Sequence, residues 1–224
     1  MIVWLASYPR SGNTFARLVL WYLFGIPTKS IYRGDRTMFY LAGDPQPDMT
    51  VEEVADLPET VFMKTHELPA EDGRPAIVLV RDGRDALVSY AHYVLHTERG
   101  IAPGGAPELF LETLRELIVS QGHFGGWGRH VLAWSRRETP TVTVRFEDLV
   151  RRPAEEVQRA LAVAGPGPRL NADSSPPAFE VLHEAAPWFF RRGIEGAWRD
   201  EMPEDLQALF LATHREAMER LGYV

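Results

Sequence analysis

Ile2-Val-Trp-Leu-Ala-Ser7-Tyr-Pro-Arg10-Ser-Gly12-Asn13-Thr14-Phe15 is the stretch that decides the architecture of this chain. Ile2 to Ala6 is an uninterrupted apolar run bounded by Ser7 and Pro9, the pattern of a strand buried on both faces. Ser11, Gly12 and Asn13 then make a turn, and Thr14 to Phe24 reads as a mostly apolar helix closed by Gly25 and Pro27. A buried strand, a tight turn and an apolar helix open an α/β fold.

The same order recurs downstream. Thr60 to Thr65 and Ala76 to Val80 are further apolar strands, and Thr141 to Phe146 alternates β-branched residues as a last one. Helices are expected over Asp85 to Glu98, from Pro107 to about Gln121, over Trp127 to Arg137, and after Phe146 as far as Ala164. Thr50 and Glu53 form a capping box for a short helix ending before Pro58, while Pro203 and Gly222 bracket a terminal helix. The pattern predicts a P-loop-containing three-layer α/β/α fold around a parallel sheet of four to five strands, with residues 1–224 as a single domain. Tyr32 to Asp48, Arg99 to Ala106 and Gly165 to Trp188 are read as loops that shape a variable, partly apolar pocket.

Composition narrows the chemistry. A formal net charge of −7 argues against broad, charge-driven binding to nucleic acid or to an anionic membrane, so an anionic ligand needs a local basic pocket. The chain has no cysteine, which excludes disulfides, thiolate catalysis and cysteine-ligated metals. No apolar run approaches the roughly 20 residues of a membrane helix, and a cytoplasmic location is expected.

Ser7-Tyr-Pro-Arg-Ser-Gly12-Asn13-Thr14 matches the spacing of a phosphate-binding P-loop except at two positions: Ser7 stands for the first glycine and Asn13 for the lysine. Backbone amides at the helix start still suit an anion, and the missing charge reappears three residues earlier at Arg10. Lys64 and His66 lie at the carboxyl end of a buried strand, the edge at which open parallel sheets bind ligands. Histidine titrates near neutral pH and suits a general base. Arg81 follows the next strand, and Ser89 lies eight residues further on, a guanidinium and a hydroxyl that could meet one phosphate. The alternatives are that Arg81 pairs with Asp85 and that Ser89 bonds to its own helix. Trp188 to Trp198 is a dense aromatic and basic loop carrying Arg191, Arg192, Gly193 and Gly196. His92 and His96 share a helix face at zinc-compatible spacing, but no third ligand accompanies them, and no metal site is expected.

Four of these segments together resemble sulfotransferases that use PAPS (3′-phosphoadenosine-5′-phosphosulfate). SYPRSGNTF is similar to their 5′-phosphosulfate loop, usually tyrosine-proline-lysine-serine-glycine-threonine-threonine-tryptophan. The resemblance implies that Ser11, Gly12, Asn13 and Thr14 bind the 5′-phosphate and that Phe15 sits where a tryptophan stacks on adenine. Arg10 would take the lysine's role at the bridging oxygen. The Lys64-Thr-His66 string resembles the segment that carries the family's base, which makes His66 the base and gives Lys64 the sulfuryl oxygens. Arg81 and Ser89 match the 3′-phosphate signature, as do Arg191, Arg192 and Gly193. Phe146 falls where an adenine-contacting tyrosine is common. The implied partners are PAPS, its product PAP, and a small-molecule hydroxyl acceptor; nothing speaks against a homodimer. Ala197 departs from an aspartate in the last motif. Two rivals remain open: a P-loop kinase using ATP and magnesium, on Asp82, Glu147 and Asp148, and a PAPS- or PAP-binding protein with little catalysis.

Overall fold

A computed structural model describes residues 1–43, 48–102, 104–164, 170–171 and 173–224. The chain forms two compact units. The first comprises Met1–Ser7, Ser11–Val80 and Ala133–Pro176; the second comprises Tyr8–Arg10, Arg81–Leu132 and Pro177–Val224.

The first unit holds a parallel five-stranded sheet flanked by helices. Its strands are β1 (Ile2–Ser7), β2 (Thr28–Ser30), β3 (Val61–Thr65), β4 (Ala76–Val80) and β5 (Thr141–Arg145), in the order β2-β3-β1-β4-β5. Every residue of β1 and β4 is buried, as uninterrupted apolar runs in a central parallel strand require. On one face Val3, Leu5, Phe62, Ile77, Leu79, Val142 and Val144 form a cluster with Val19, Leu20 and Leu23 of α1 (Asn13–Phe24) and with Val157, Ala160 and Leu161 of α8 (Pro153–Ala164). Each such fully buried valine or leucine contributes about 1.5–3 kcal/mol. The unit also contains α2 (Thr37–Ala42), α3 (Val51–Ala55) and α7 (Phe146–Arg151). The capping box of α3 forms as expected: the Glu53 N–H donates to Thr50 Oγ1 and the Thr50 N–H to Glu53 Oε2.

The second unit is helical. It contains α4 (Gly83–Arg99), α5 (Pro107–Val119), the residues up to Leu132 of α6 (Trp127–Ser135), α9 (Phe179–Ala185), a short 3-10 turn at Ala197–Asp200, and α10 (Glu204–Leu221). A Cβ added at Gly83 would meet the rings of Trp127 and Phe210, so α4 begins at a point where only glycine fits.

The structure differs from the sequence reading in three places. β2 is a fifth strand whose Thr-Lys-Ser carries no apolar signal, because it pairs on one side only, with β3. The single helix expected after Phe146 as far as Ala164 is two helices, Phe146–Arg151 and Pro153–Ala164, broken at Arg152 ahead of Pro153. Two stretches read as loops contain α2 and α9, helices too short to show periodicity. Of those loop readings, residues 44–47, 103, 165–169 and 172 lie outside the described residues.

Candidate active site

The turn after β1 leads into α1 through a left-handed glycine. Gly12 caps α1 in the left-handed region, at φ 93°, where a side chain is strained. A Cβ on it would stand 2.5 Å from Phe146 Cδ2, so the Phe146 ring closes directly over this glycine. The amides of Asn13, Thr14 and Phe15 precede the first helical hydrogen bond, from Ala16 N–H to Gly12 O. Ser11 Oγ is buried without a hydrogen-bond partner among the described residues. A buried hydroxyl without a partner, beside the first amides of a helix, suits an anion, and a phosphate fits it. Asn13 serves differently: its Nδ2 donates to the Leu5 carbonyl (2.9 Å) and to Ser7 Oγ (3.2 Å), tying the turn back to β1. Its backbone N–H remains suited to an anion, and its Oδ1 is buried without a hydrogen-bond partner among the described residues. Phe15 packs partly against the apolar cluster beneath α1.

His66 follows directly from the end of β3. Its Nδ1 lies 2.8 Å from the Ser7 carbonyl oxygen and 3.2 Å from Ser7 Oγ. A carbonyl only accepts, so Nδ1 carries the proton and Nε2 is the basic nitrogen of the neutral ring. Tyr32 stacks on the imidazole with centroids 5.6 Å apart, and its hydroxyl accepts the His66 backbone N–H at 2.8 Å. Lys64 Nζ donates to Asp35 Oδ2 (3.0 Å), which also receives Arg17 Nη1 (3.1 Å). Burial alone would raise the Asp35 carboxyl, but Lys64 and Arg17 hold it well below the usual carboxylate range.

The second unit gathers the other predicted cations. Arg10 is the one non-glycine residue with positive φ (67°) among those described. Its Nε donates to Ser89 Oγ (3.2 Å), and its Nη2 donates to the Phe189 carbonyl. The guanidinium lies 4.2 Å from the Phe189 ring centroid and 5.2 Å from that of Tyr93. Burial, then Arg81 and Arg191, push its pKa down to about 10. Arg81 donates to the Arg10 carbonyl (3.3 Å) and to the Ile194 carbonyl (3.0 Å). Arg10, Arg81 and Ser89 therefore form one cluster.

The Arg191–Gly193 segment is held by carboxylates. Arg191 grips both oxygens of Glu201, at 2.8 and 2.9 Å, while Arg192 reaches Glu201 at 3.3 Å and Asp200 at 2.7 Å. His92 Nε2 meets Glu201 Oε2 at 2.6 Å, and His96 stacks on Trp188. Gly193 is left-handed and lies under the Phe179 ring. Asp85 is taken up by backbone N–H groups of this loop, from Gly196 and Trp198. Asp82 caps α4 and grips Arg84 through both oxygens (2.7–3.2 Å), so the carboxylate that could mimic a magnesium ligand is engaged in structure.

Sequence reasoning missed Tyr32, Asp35, Tyr93, Phe189 and Glu201. Tyr93 was within reach, since it stands four residues after Ser89 on one helix face. The others meet their partners through long-range contacts that leave no local pattern.

Among the described residues no helix is long and apolar enough to cross a membrane. Sulfotransferase 1B1 of the dog Canis lupus familiaris is 24% identical over 235 residues, covering 88% of this chain and 76% of the relative. Sulfotransferase 1E1 of the guinea pig Cavia porcellus is 24% identical over 249 residues, covering 96% and 82%. Among solved structures, mouse sulfotransferase SULT7A1 complexed with PAP shares the fold with a TM-score of 0.69 at 18% identity, covering 96% of this chain and 83% of that one. Retinol dehydratase in complex with retinol and PAP aligns with a TM-score of 0.65 at 17% identity, covering 97% and 81%. The profile of the sulfotransferase domain matches residues 2–222, and the chain belongs to that family.

Proposed function

We propose that this enzyme transfers a sulfuryl group from PAPS to a hydroxyl of a small-molecule acceptor, with His66 as general base. The observation that carries the base assignment is the hydrogen bond from His66 Nδ1 to the Ser7 carbonyl, which fixes the tautomer whose Nε2 accepts a proton. In the reaction, the acceptor oxygen attacks sulfur as its proton passes to Nε2. The bond between sulfur and the bridging oxygen breaks, and PAP leaves with that electron pair. Ser11 Oγ and the amides of Gly12, Asn13 and Thr14 would bind the 5′-phosphate, in keeping with the orphaned hydroxyl and open helix start.

Lys64, which ends β3 two residues before His66, would offset charge on the sulfuryl oxygens, with Asp35 steering its ammonium. Side-chain cations take the part that magnesium plays in kinases, so no metal is required. Arg81 and Ser89 would bind the 3′-phosphate, with Arg191, Arg192 and Gly193 closing over it. Phe15 and Phe146 would contact adenine. The resemblance to cytosolic-type sulfotransferases supports a cytoplasmic location.

Turnover of labelled PAPS over a panel of hydroxylated acceptors tests the reading, with PAP binding followed in parallel. His66→Ala is expected to keep PAP affinity and to lose about 10²–10⁴-fold in transfer. Undiminished transfer removes His66 from the role. Thermal stabilisation by ATP with magnesium, but not by PAP, would favour a kinase instead.

A further inference from the structure

We infer that Tyr32, just past the edge strand β2, is a positioning residue for His66: its phenol holds the imidazole so that Nε2 meets the acceptor. The inference rests on the assignment of His66 as general base. Its basis is the register of the sheet. β2 runs parallel to β3, with Thr28 beside Phe62, Lys29 beside Met63 and Ser30 beside Lys64. The Ile31 N–H donates to the Lys64 carbonyl at 3.2 Å, which carries the pairing past the end of β2. Tyr32 and His66 stand two places beyond Ser30 and Lys64, so the register sets phenol beside imidazole.

The hydroxyl of Tyr32 accepts the His66 backbone N–H at 2.8 Å, and its ring lies on the imidazole with planes 26° apart. The bond from His66 Nδ1 to the Ser7 carbonyl fixes which nitrogen carries the proton. A single hydrogen bond still lets the ring tilt about the line of that bond. The stacked phenol opposes the tilt, and the bond to the N–H anchors the backbone from which the side chain starts. A base displaced by about 1 Å can cost about 10²-fold in rate, so such restraint bears directly on transfer.

Tyr32 is itself held. Its hydroxyl donates to Glu67 Oε1 at 3.2 Å, its N–H donates to Ser30 Oγ at 3.2 Å, and Lys64 Nζ lies 5.6 Å from its ring centroid. Burial, against the pull of the His66 N–H, pushes the phenol above its usual range, so it stays protonated and goes on donating to Glu67. Phenylalanine at this position would keep the stack and forfeit the hydroxyl's bonds. Leucine would forfeit both.

Steady-state kinetics with labelled PAPS and the panel acceptor that turns over fastest, with PAP affinity measured by calorimetry, test the inference. Tyr32→Leu is expected to lower kcat by about 10–100-fold, with PAP affinity within about twofold of wild type. Tyr32→Phe should lose about fivefold, as for one hydrogen bond. In a His66→Ala background either change should cost less than about twofold, because no imidazole remains to be positioned. If Tyr32→Leu folds poorly, Tyr32→Phe in the two backgrounds carries the same comparison. An unchanged kcat, a matching fall in PAP affinity, or a loss that persists in full without His66 overturns the inference and leaves the base assignment standing. Undiminished transfer by His66→Ala overturns that assignment, and the inference with it.

Discussion

Asp85 on α4 accepts the backbone N–H of Trp198 at 2.9 Å, across 113 positions of chain, and its second oxygen accepts that of Gly196 at 2.7 Å. One buried carboxylate thus organises the loop that follows Arg191–Gly193. Replacing it with alanine strands two N–H groups, each costing about 1–3 kcal/mol. Asp85→Ala is expected to lower unfolding free energy by about 3 kcal/mol in urea titration, and Asp85→Asn by less, because its amide oxygen can still accept one of the bonds.

Gly12 carries two separable constraints. Gly12→Ala places a Cβ 2.5 Å from Phe146 Cδ2 and forces a side chain into φ 93°. The variant is expected to lose about 2–4 kcal/mol, of which roughly 1–2 is the left-handed backbone. Adding Phe146→Ala should restore only the steric part, a non-additivity that a double-mutant cycle reads directly.

His214 gives the second unit an acid-labile point. Burial lowers its pKa from 6.5 to about 4, against the bond its Nε2 makes to the Ile118 carbonyl. A histidine that is neutral when folded and charged when unfolded costs stability as pH falls. The loss begins near 6.5 and is complete below about 4. At 1.36 kcal/mol per unit it reaches about 3 kcal/mol. Denaturation curves at pH 7 and pH 4 should show this difference, and His214→Gln should flatten it.

Glu201 works in a lower window. Burial would raise its carboxyl, but the hydrogen bonds from His92 and Arg191 bring it down to about 2. Its stabilisation is therefore present above the ordinary glutamate range and disappears as pH falls toward 2. The melting temperature of Glu201→Gln is expected to lie below that of the wild type at pH 6, with the gap closing by pH 2.5.

The legible parts of this protein are those where local pattern and tertiary role coincide. Ile2–Ala6, Val61–Thr65 and Ala76–Val80 are apolar because both faces of a central parallel strand are covered, and the same runs fix where His66 and Arg81 emerge. Thr28–Ser30 was invisible because an edge strand needs no such run. The Ser11–Thr14 turn could be recognised by spacing, yet spacing did not reveal that the Asn13 side chain points back to Leu5. Nor could it show Arg10 meeting Ser89, since 79 positions separate them and only a left-handed turn brings them together.

That turn has an evolutionary and practical consequence. Glycine at position 10 would sit in the same conformation without steric penalty, and asparagine at little cost. Libraries screened for heat resistance alone would drift toward those residues, producing hardier chains that have lost the guanidinium held against Ser89, Tyr93 and Phe189. Position 10 is thus one to hold fixed when this scaffold is stabilised for use.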